Sequence, residues 1–170
     1  VAPAELTRAS ILAAMRRLPQ YVAHLKHGGW QQSGLKSASM PRNFAIGSSL
    51  AGKTLGIWGF GRIGQIVAGY GRAYGGLDDL EAMQPAASKE QFFGESDVLS
   101  LHLRLGDTTR GIVTQEDLAL MKPTALIVNT SRAELLQTDA LIGALNRGRP
   151  GLAAVDVFES EPILQGHALL

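Results

Sequence analysis

Apolar residues in the first part of the chain recur at helical spacings. Between residue 3 and about residue 26 they stand three or four positions apart, which predicts a helix. Pro19 interrupts this run, so we expect a kink there or a break into two helices. Residues 31–49 are polar and show no period, which predicts a surface loop. The apolar positions of the helix are Leu6, Ile11, Leu12, Met15, Leu18, Val22 and Leu25.

From Leu50 onward, short apolar runs alternate with helical segments. Each run is apolar throughout, as expected for strands that are buried on both faces of a sheet. The alternation predicts an α/β protein with a doubly wound, Rossmann-like parallel sheet. The predicted strands are residues 54–58, 97–103, 124–129 and 152–157. The predicted helices are residues 63–74, a short helix that Ser88 caps and that runs through Phe93, residues 115–121, and a helix that Thr138 caps and that ends near Asn146.

A glycine-rich turn joins the first strand to its helix. Gly59, Gly61 and Gly64 have the spacing G-x-G-x-x-G, and the motif has its meaning only in this strand-turn-helix context. The first glycine permits a tight turn, the second lets a pyrophosphate approach the backbone, and the third lets the helix pack closely. The helix N-terminus would then present free N–H groups to the phosphates. The turn predicts a dinucleotide site, and the alternative is a glycine-rich connection that binds nothing.

One part of such a site is absent from the sequence. A second strand should end in an acidic residue about 20 residues further on, to bind the adenosine ribose. Residues 76–85 are instead acidic and turn-like, and no strand presents Asp78, Asp79 or Glu81. We therefore expect that roughly 15–20 residues of strand and loop are missing or disordered after Gly75. The choice between NAD and NADP stays open for the same reason.

Composition removes several classes of function. The 170 residues carry a net charge of +1, which gives no basic stripe for nucleic acid. Cysteine is absent, so a disulfide frame and a thiolate metal site are excluded, and we expect no metal. No apolar run reaches the roughly 20 residues that span a bilayer, and the start shows no signal pattern. We expect a cytoplasmic protein without membrane contact. Because the chain lacks an initiator Met and ends abruptly at Leu170, we also expect a fragment.

Four segments together resemble the nucleotide-binding domain of the D-isomer-specific 2-hydroxyacid dehydrogenases, which include phosphoglycerate, glycerate and D-lactate dehydrogenases. The first includes the glycine turn, the second contains the strand that ends in His102, and the third reads Asn-Thr-Ser-Arg at 129–132. The fourth reads Asp-Val-Phe-Glu-Ser-Glu-Pro at 156–162. The resemblance covers nearly the whole chain. It divides the chain into residues 1–49, an N-terminal helix and loop between domains or subunits, and residues 50–170, the dinucleotide-binding domain.

The resemblance implies two catalytic residues. Arg132 matches the arginine that binds the substrate carboxylate and keto oxygen, and Glu161 matches the glutamate that holds the catalytic histidine and raises its pKa. That histidine stands in a Pro-His-x-Gly type of segment, which these 170 residues do not contain, and His167 does not take its role. Both Arg132 and Glu161 follow predicted parallel strands, where ligands bind in open α/β sheets. Taken alone, each would be an ordinary surface residue.

The resemblance also implies a set of cofactor contacts. The pyrophosphate lies on the glycine turn, with backbone contacts from the residues after Gly61. Asp156 accepts a hydrogen bond from the nicotinamide carboxamide, although an Asp at a strand end is also a common turn cap. The remaining expected contacts lie along the cofactor or close over it. The full set is Gly59, Gly61, Arg62, Ile63, Gly64, His102, Leu103, Thr108, Thr130, Ser131 and Asp156.

These inferences predict an oxidoreductase that transfers a hydride between NAD(P)H and a 2-oxo or D-2-hydroxy acid. The chain is mainly its cofactor domain and would be inactive alone. One alternative is an NAD-sensing, corepressor-like protein without turnover, and another is a formate dehydrogenase relative, which would carry Gln in place of Glu161. We further expect a homodimer, with the helix of residues 6–25 and Trp30 forming the seam, that is, the interface between the two subunits.

Overall fold

The computed structural model describes residues 1–28, 47–75 and 83–169. Its centre is a four-stranded, all-parallel sheet in the order β1-β2-β3-β4, which confirms the predicted α/β fold. The strands are β1 (Leu55–Trp58), β2 (Val98–Leu101), β3 (Leu126–Asn129) and β4 (Leu152–Val155). The helices are α1 (Ala2–Met15), α2 (Leu18–Lys26), α3 (Arg62–Gly75), α4 (Lys89–Glu95), α5 (Gln115–Leu120) and α6 (Ala140–Asn146), with a 3₁₀ turn at Ala133–Leu135. None of the helices in the described ranges is long and apolar enough to cross a membrane.

Helices cover both faces of the sheet, as the uniformly apolar strands predicted. Alternate side chains of each strand point to opposite faces, so one strand serves two cores. One core joins Leu99, Leu101 and Ile127 to helices α4, α5 and α6, with Phe93 fully buried among them. The strands are therefore packed between two layers of helices, and because they are parallel, their carboxyl ends lie at one edge of the sheet.

Helix α1 forms part of the second layer. Its Ile11 and Met15 are almost fully buried, and they pack with Val98, Leu126 and Val128 on the opposite face of the sheet. The first helix of the chain is thus packed directly on the sheet that carries the glycine turn. The proposed boundary near residue 50 stays a prediction.

The predicted break in the first helix is confirmed. Helix α1 ends at Met15 and α2 begins at Leu18, with Arg17 in the left-handed conformation at φ 53°. Pro19 has no N–H to give to the Met15 carbonyl, and Ser48 donates to that oxygen instead at 2.8 Å. Most of the predicted loop of residues 31–49 lies outside the described residues.

One of the two predicted helix caps is wrong. Ser88 caps α4 as expected, because its hydroxyl accepts from the Gln91 N–H at 3.1 Å. Thr138 does not cap α6: the N-cap is Asp139, in the left-handed conformation at φ 59°, and its side chain makes no capping hydrogen bond. Helix α6 begins there because the Ala140 N–H turns back to the carbonyl of Gln137 at 3.0 Å.

Strand β1 pairs with β2 and with no other strand of the described part of the chain. The predicted second strand of the dinucleotide site would extend the sheet on this side. The stretch that should supply it, including Asp78, Asp79 and Glu81, lies outside the described residues. The missing-strand hypothesis therefore stays a prediction.

Candidate active site

The four strands end in register at one edge of the sheet. Trp58 is paired with Leu101, Leu101 with Asn129, and Asn129 with Val155. The residue after each strand therefore stands at this carboxyl edge, where open α/β sheets bind ligands. These four residues are Gly59, His102, Thr130 and Asp156.

Two glycines of the turn are required by the fold itself. Gly59 has φ 106°, and a Cβ there would lie 2.6 Å from the carbonyl carbon of His102. A Cβ on Gly64 would overlap the carbonyl oxygen of Gly59. Backbone atoms cannot give way as a flexible side chain can, so a side chain at either position would strain the turn and destabilise the fold.

Gly61 is different, because nothing in the fold requires it to be glycine. Its φ lies outside the left-handed region, and a Cβ there would meet no protein atom within 4 Å. The amides of Arg62, Ile63 and Gly64 lie in the first turn of α3, where N–H groups have no partner inside the helix. Open space beside unpaired amides at a helix N-terminus suits a pyrophosphate, so these residues fit a bound dinucleotide.

Asn129 organises the loop that follows β3. It is 1% exposed, its Nδ2 donates to the Arg132 carbonyl at 2.9 Å, and its Oδ1 accepts from the Ser131 N–H at 3.1 Å. A buried amide needs such partners, and here they fix the backbone on both sides of the loop. Sequence reasoning gave Asn129 no role. The available signal was a polar residue closing the apolar run Leu126–Asn129.

The predicted nicotinamide side of the site is rich in acceptors. The Ser131 hydroxyl donates its single proton to the Leu101 carbonyl at 2.9 Å, so only its lone pairs remain for a ligand. Asp156 is exposed, and its backbone N–H is bonded to the Asn129 carbonyl at 3.1 Å. Lone pairs and a carboxyl group that follow two neighbouring strands suit the N–H groups of a carboxamide.

His102 is held on its edge of the sheet by Ser100. The Ser100 hydroxyl, itself fully buried, lies 2.9 Å from His102 Nε2. Burial lowers the pKa of His102 below its ordinary value, so the ring is neutral at neutral pH. A neutral imidazole that is fixed by a neighbour suits a contact with the cofactor better than a role as a proton donor.

The segment after His102 contains the other two predicted contacts. Leu103 is half-buried and packs against the core under α4 to α6. Thr108 is exposed. Its neighbour Thr109 shapes the loop, because its hydroxyl donates to the Arg104 carbonyl at 2.7 Å and accepts from the Gly106 N–H at 2.8 Å.

Arg132 and Glu161 follow neighbouring strands, and both are exposed. Arg132 Nη1 donates to the Ser131 carbonyl at 2.7 Å, and no ion pair in the described ranges involves this guanidinium. Glu161 Oε1 accepts from the Phe158 N–H at 3.0 Å, which closes a turn after β4. No hydrogen bond or ion pair among the described residues joins Arg132 to Glu161, so each keeps charge available for other groups.

The sequence profile of a known family matches residues 8–170. The family is described as D-isomer specific 2-hydroxyacid dehydrogenase, NAD binding domain. The chain belongs to this family. The resemblance inferred from its four segments is confirmed, and the expected cofactor, NAD or NADP, is confirmed with it.

Relatives of this NAD-binding domain include dehydrogenases and reductases about twice its length. A glyoxylate reductase of Aeropyrum pernix is 41% identical over 179 residues, which is 99% of this chain and 52% of the relative. A solved oxidoreductase from Ralstonia solanacearum is 61% identical with a TM-score of 0.88, and the match covers 100% of this chain and 54% of that one. A D-lactate dehydrogenase from Aquifex aeolicus, complexed with NAD and lactic acid, is 31% identical with a TM-score of 0.76, covering 93% and 48%.

Two facts about length follow from these matches. The chain spans about half the length of these three relatives. The match to the Aeropyrum pernix enzyme is also longer than the 170 residues of the chain, so that relative has residues with no counterpart here.

Proposed function

We propose that this domain serves an oxidoreductase that transfers a hydride between a nicotinamide cofactor, NAD or NADP, and a small 2-oxo or D-2-hydroxy acid. The observation that carries this proposal is the placement of Arg132. Asn129 fixes its backbone at the carboxyl edge, beside the strands that carry the glycine turn and the acceptor groups. A planar guanidinium fork that has no acidic partner among the described residues suits a carboxylate that stands beside a carbonyl.

Each group at the edge then has a defined task. The amides after Gly61 bind the pyrophosphate, and Thr130, Ser131 and Asp156 accept hydrogen bonds from the nicotinamide end. The bound cofactor supplies the hydride. Arg132 binds the substrate carboxylate and draws electron density from the keto oxygen. Glu161 stabilises the protonated form of the histidine that this family carries in a Pro-His-x-Gly type of segment.

The names of the relatives support this class of substrate. They include glyoxylate reductases, a hydroxypyruvate reductase and D-3-phosphoglycerate dehydrogenases, whose named substrates are all small acids with oxygen beside the carboxylate. The substrate domain supplies most of the residues that choose among such acids. We propose a cytoplasmic location, with which a chain without cysteine is compatible.

Turnover with 2-oxo acids tests the proposed function. The protein produced from its complete coding sequence is expected to oxidise NADH or NADPH in the presence of glyoxylate, hydroxypyruvate or pyruvate, followed by loss of the reduced-nicotinamide absorbance. Running both cofactors also decides between NAD and NADP. Binding of NADH without turnover on any of these acids would contradict the proposal and favour a dinucleotide sensor.

We also propose that the enzyme is a homodimer with α2 in its seam. Three apolar residues of this helix are half-exposed, Leu18 at 50%, Val22 at 52% and Leu25 at 55%, and they lie one helical turn apart. Such a row on a monomer surface is costly unless a partner covers it. Trp30, the other predicted seam residue, lies outside the described residues.

Sedimentation tests the proposed seam. We expect the unsubstituted protein to sediment with twice its chain mass and Val22→Lys to sediment as a monomer, because a charge would have to be buried at the seam. Leu164→Lys is the matched control: Leu164 is 76% exposed and lies outside α2, so this variant should stay dimeric. A monomeric unsubstituted protein would exclude the seam.

A further inference from the structure

Thr7 is a fully buried polar residue on the apolar side of α1. It precedes Ile11 and Met15 at intervals of four, so all three side chains lie on one side of the helix. Its side chain is fully buried, with an exposed fraction of 0%. Ile11 and Met15 are also buried, and they pack into the core on the same face of the sheet. These two anchors fix the position of Thr7 against the carboxyl edge.

The Thr7 hydroxyl connects this helix to the loop after β3. It donates to the Pro3 carbonyl at 2.9 Å and lies 2.7 Å from the hydroxyl oxygen of Thr130. Thr130 stands two residues after Val128, whose side chain packs on α1, so both point to the same face. The contact spans 123 positions of sequence and joins two side chains.

The direction of the hydrogen bonds follows from counting protons. A hydroxyl has one proton, and the Pro3 carbonyl can only accept, so the proton of Thr7 is already used. Thr130 must therefore donate to Thr7. The Thr130 oxygen keeps only lone pairs for a ligand, as Ser131 does through its bond to Leu101.

Thr130 is also the point where a helix holds this loop. The other fixed points belong to the sheet: Asn129 holds the backbone, and Ser131 is bonded to the end of β2. We propose that Thr7 is a positioning residue, whose hydroxyl orients Thr130 and with it the loop of residues 130–132. This inference rests on the proposed function, in which Thr130 meets the nicotinamide and Arg132 meets the substrate carboxylate.

The test compares Thr7→Val with Thr7→Ser in the complete enzyme. Valine keeps the shape but removes the hydroxyl, so kcat/KM for the 2-oxo acid should fall about three- to tenfold and NADH affinity roughly threefold. Thr7→Ser keeps the hydroxyl and should stay within about twofold of the unsubstituted enzyme in both measurements. Ile11→Val, on the same side of α1, should lower the thermal stability and leave kcat/KM and NADH affinity unchanged.

A double-variant cycle with Thr130→Val separates positioning from simple stabilisation. If Thr7 acts through Thr130, adding Thr7→Val to Thr130→Val should cause no further loss in kcat/KM or NADH affinity. Multiplying losses would overturn the inference. So would a Thr7→Val enzyme that is less stable but binds NADH and turns over normally.

The NADH measurement keeps this inference separate from the proposed function. If the unsubstituted enzyme turns over no 2-oxo acid, the proposed function fails. The cycle read in NADH affinity still decides whether Thr7 positions Thr130.

Discussion

Replacing Arg132 with alanine is expected to abolish reduction of 2-oxo acids while leaving NADH affinity nearly unchanged. The guanidinium is exposed at the carboxyl edge and forms no ion pair within the described ranges, so its removal leaves no buried charge unpaired. Its bond to the Ser131 carbonyl is local, and the loop backbone is held by Asn129 instead. The loss should therefore fall on substrate binding and on the transition state rather than on folding.

The size of the effect follows from the contacts that are lost. A carboxylate held by two charge-assisted hydrogen bonds loses about 3–5 kcal/mol when the arginine is removed, which is about a hundred- to a thousandfold or more in kcat/KM. Arg132→Lys keeps the charge but not the fork, and should recover only part of that loss.

The measurement is kcat/KM for the preferred 2-oxo acid, beside NADH affinity and thermal unfolding of the same samples. Arg149→Ala provides the matched control, because Arg149 is also exposed but precedes β4 at the opposite edge of the sheet. We expect that control to behave as the unsubstituted enzyme. Unchanged turnover in Arg132→Ala would remove this residue from the mechanism.

The strands could be predicted from sequence because burial on both faces leaves uniformly apolar runs. The carboxyl ends of β1 and β3, Trp58 and Asn129, could be predicted as well, but those of β2 and β4 could not. The apolar runs continue to Leu103 and Val157, yet the paired strands end at Leu101 and Val155, in register with Asn129. A strand stops where its neighbour no longer offers hydrogen bonds, and an apolar run does not contain that information.

The helix caps and the exposed and buried faces of α1 and α2 show a second limit of prediction from sequence. Spacing identified an apolar series, but it could not tell Ile11, which is 4% exposed, from Val22, which is 52% exposed. Thr138 has a favourable residue type for a cap, but the chain enters α6 through a left-handed Asp139. Both differences depend on where the rest of the chain packs.

Some residues of the candidate site could likewise be predicted from sequence, and others could not. The glycine turn could be predicted from spacing and context, whereas Arg132 and Glu161 came from resemblance, since each alone is an ordinary surface residue. Thr7 acts through a hydrogen bond to Thr130, which is distant in sequence, and Asn129 acts through hydrogen bonds within its own loop. In the sequence, each is visible only as a polar residue within an apolar pattern. Tertiary contacts, which the sequence does not state, decide what such residues do.

The glycine turn supports a second large and separable prediction. Gly61→Ala should lower NADH affinity about ten- to a hundredfold, because a methyl group would fill the space beside the unpaired amides of α3. The same change should not harm folding. No protein atom lies within 4 Å of the added carbon, and alanine restricts the unfolded chain, so stability should rise by up to about 1 kcal/mol.

Gly64→Ala should behave in the opposite way. Its Cβ would overlap the Gly59 carbonyl oxygen and lie 3.1 Å from Ile57 Cγ2, which forces α3 away from β1. Overpacking of this kind costs about 1–3 kcal/mol, so thermal unfolding should move to a lower temperature. Any loss of NADH affinity in this variant would accompany a damaged fold.

Gly94→Ala completes the comparison. Gly94 lies in α4, next to the amino end of β2, and its added carbon would make only an ordinary contact of 3.9 Å with the Leu120 carbonyl oxygen. This variant should gain stability as Gly61→Ala does and bind NADH normally. Calorimetry with NADH and thermal unfolding of the three variants then separate the two reasons for glycine in this turn, ligand binding and packing. A Gly61→Ala enzyme that binds NADH as tightly as Gly94→Ala would mean that the pyrophosphate does not approach the backbone at Gly61.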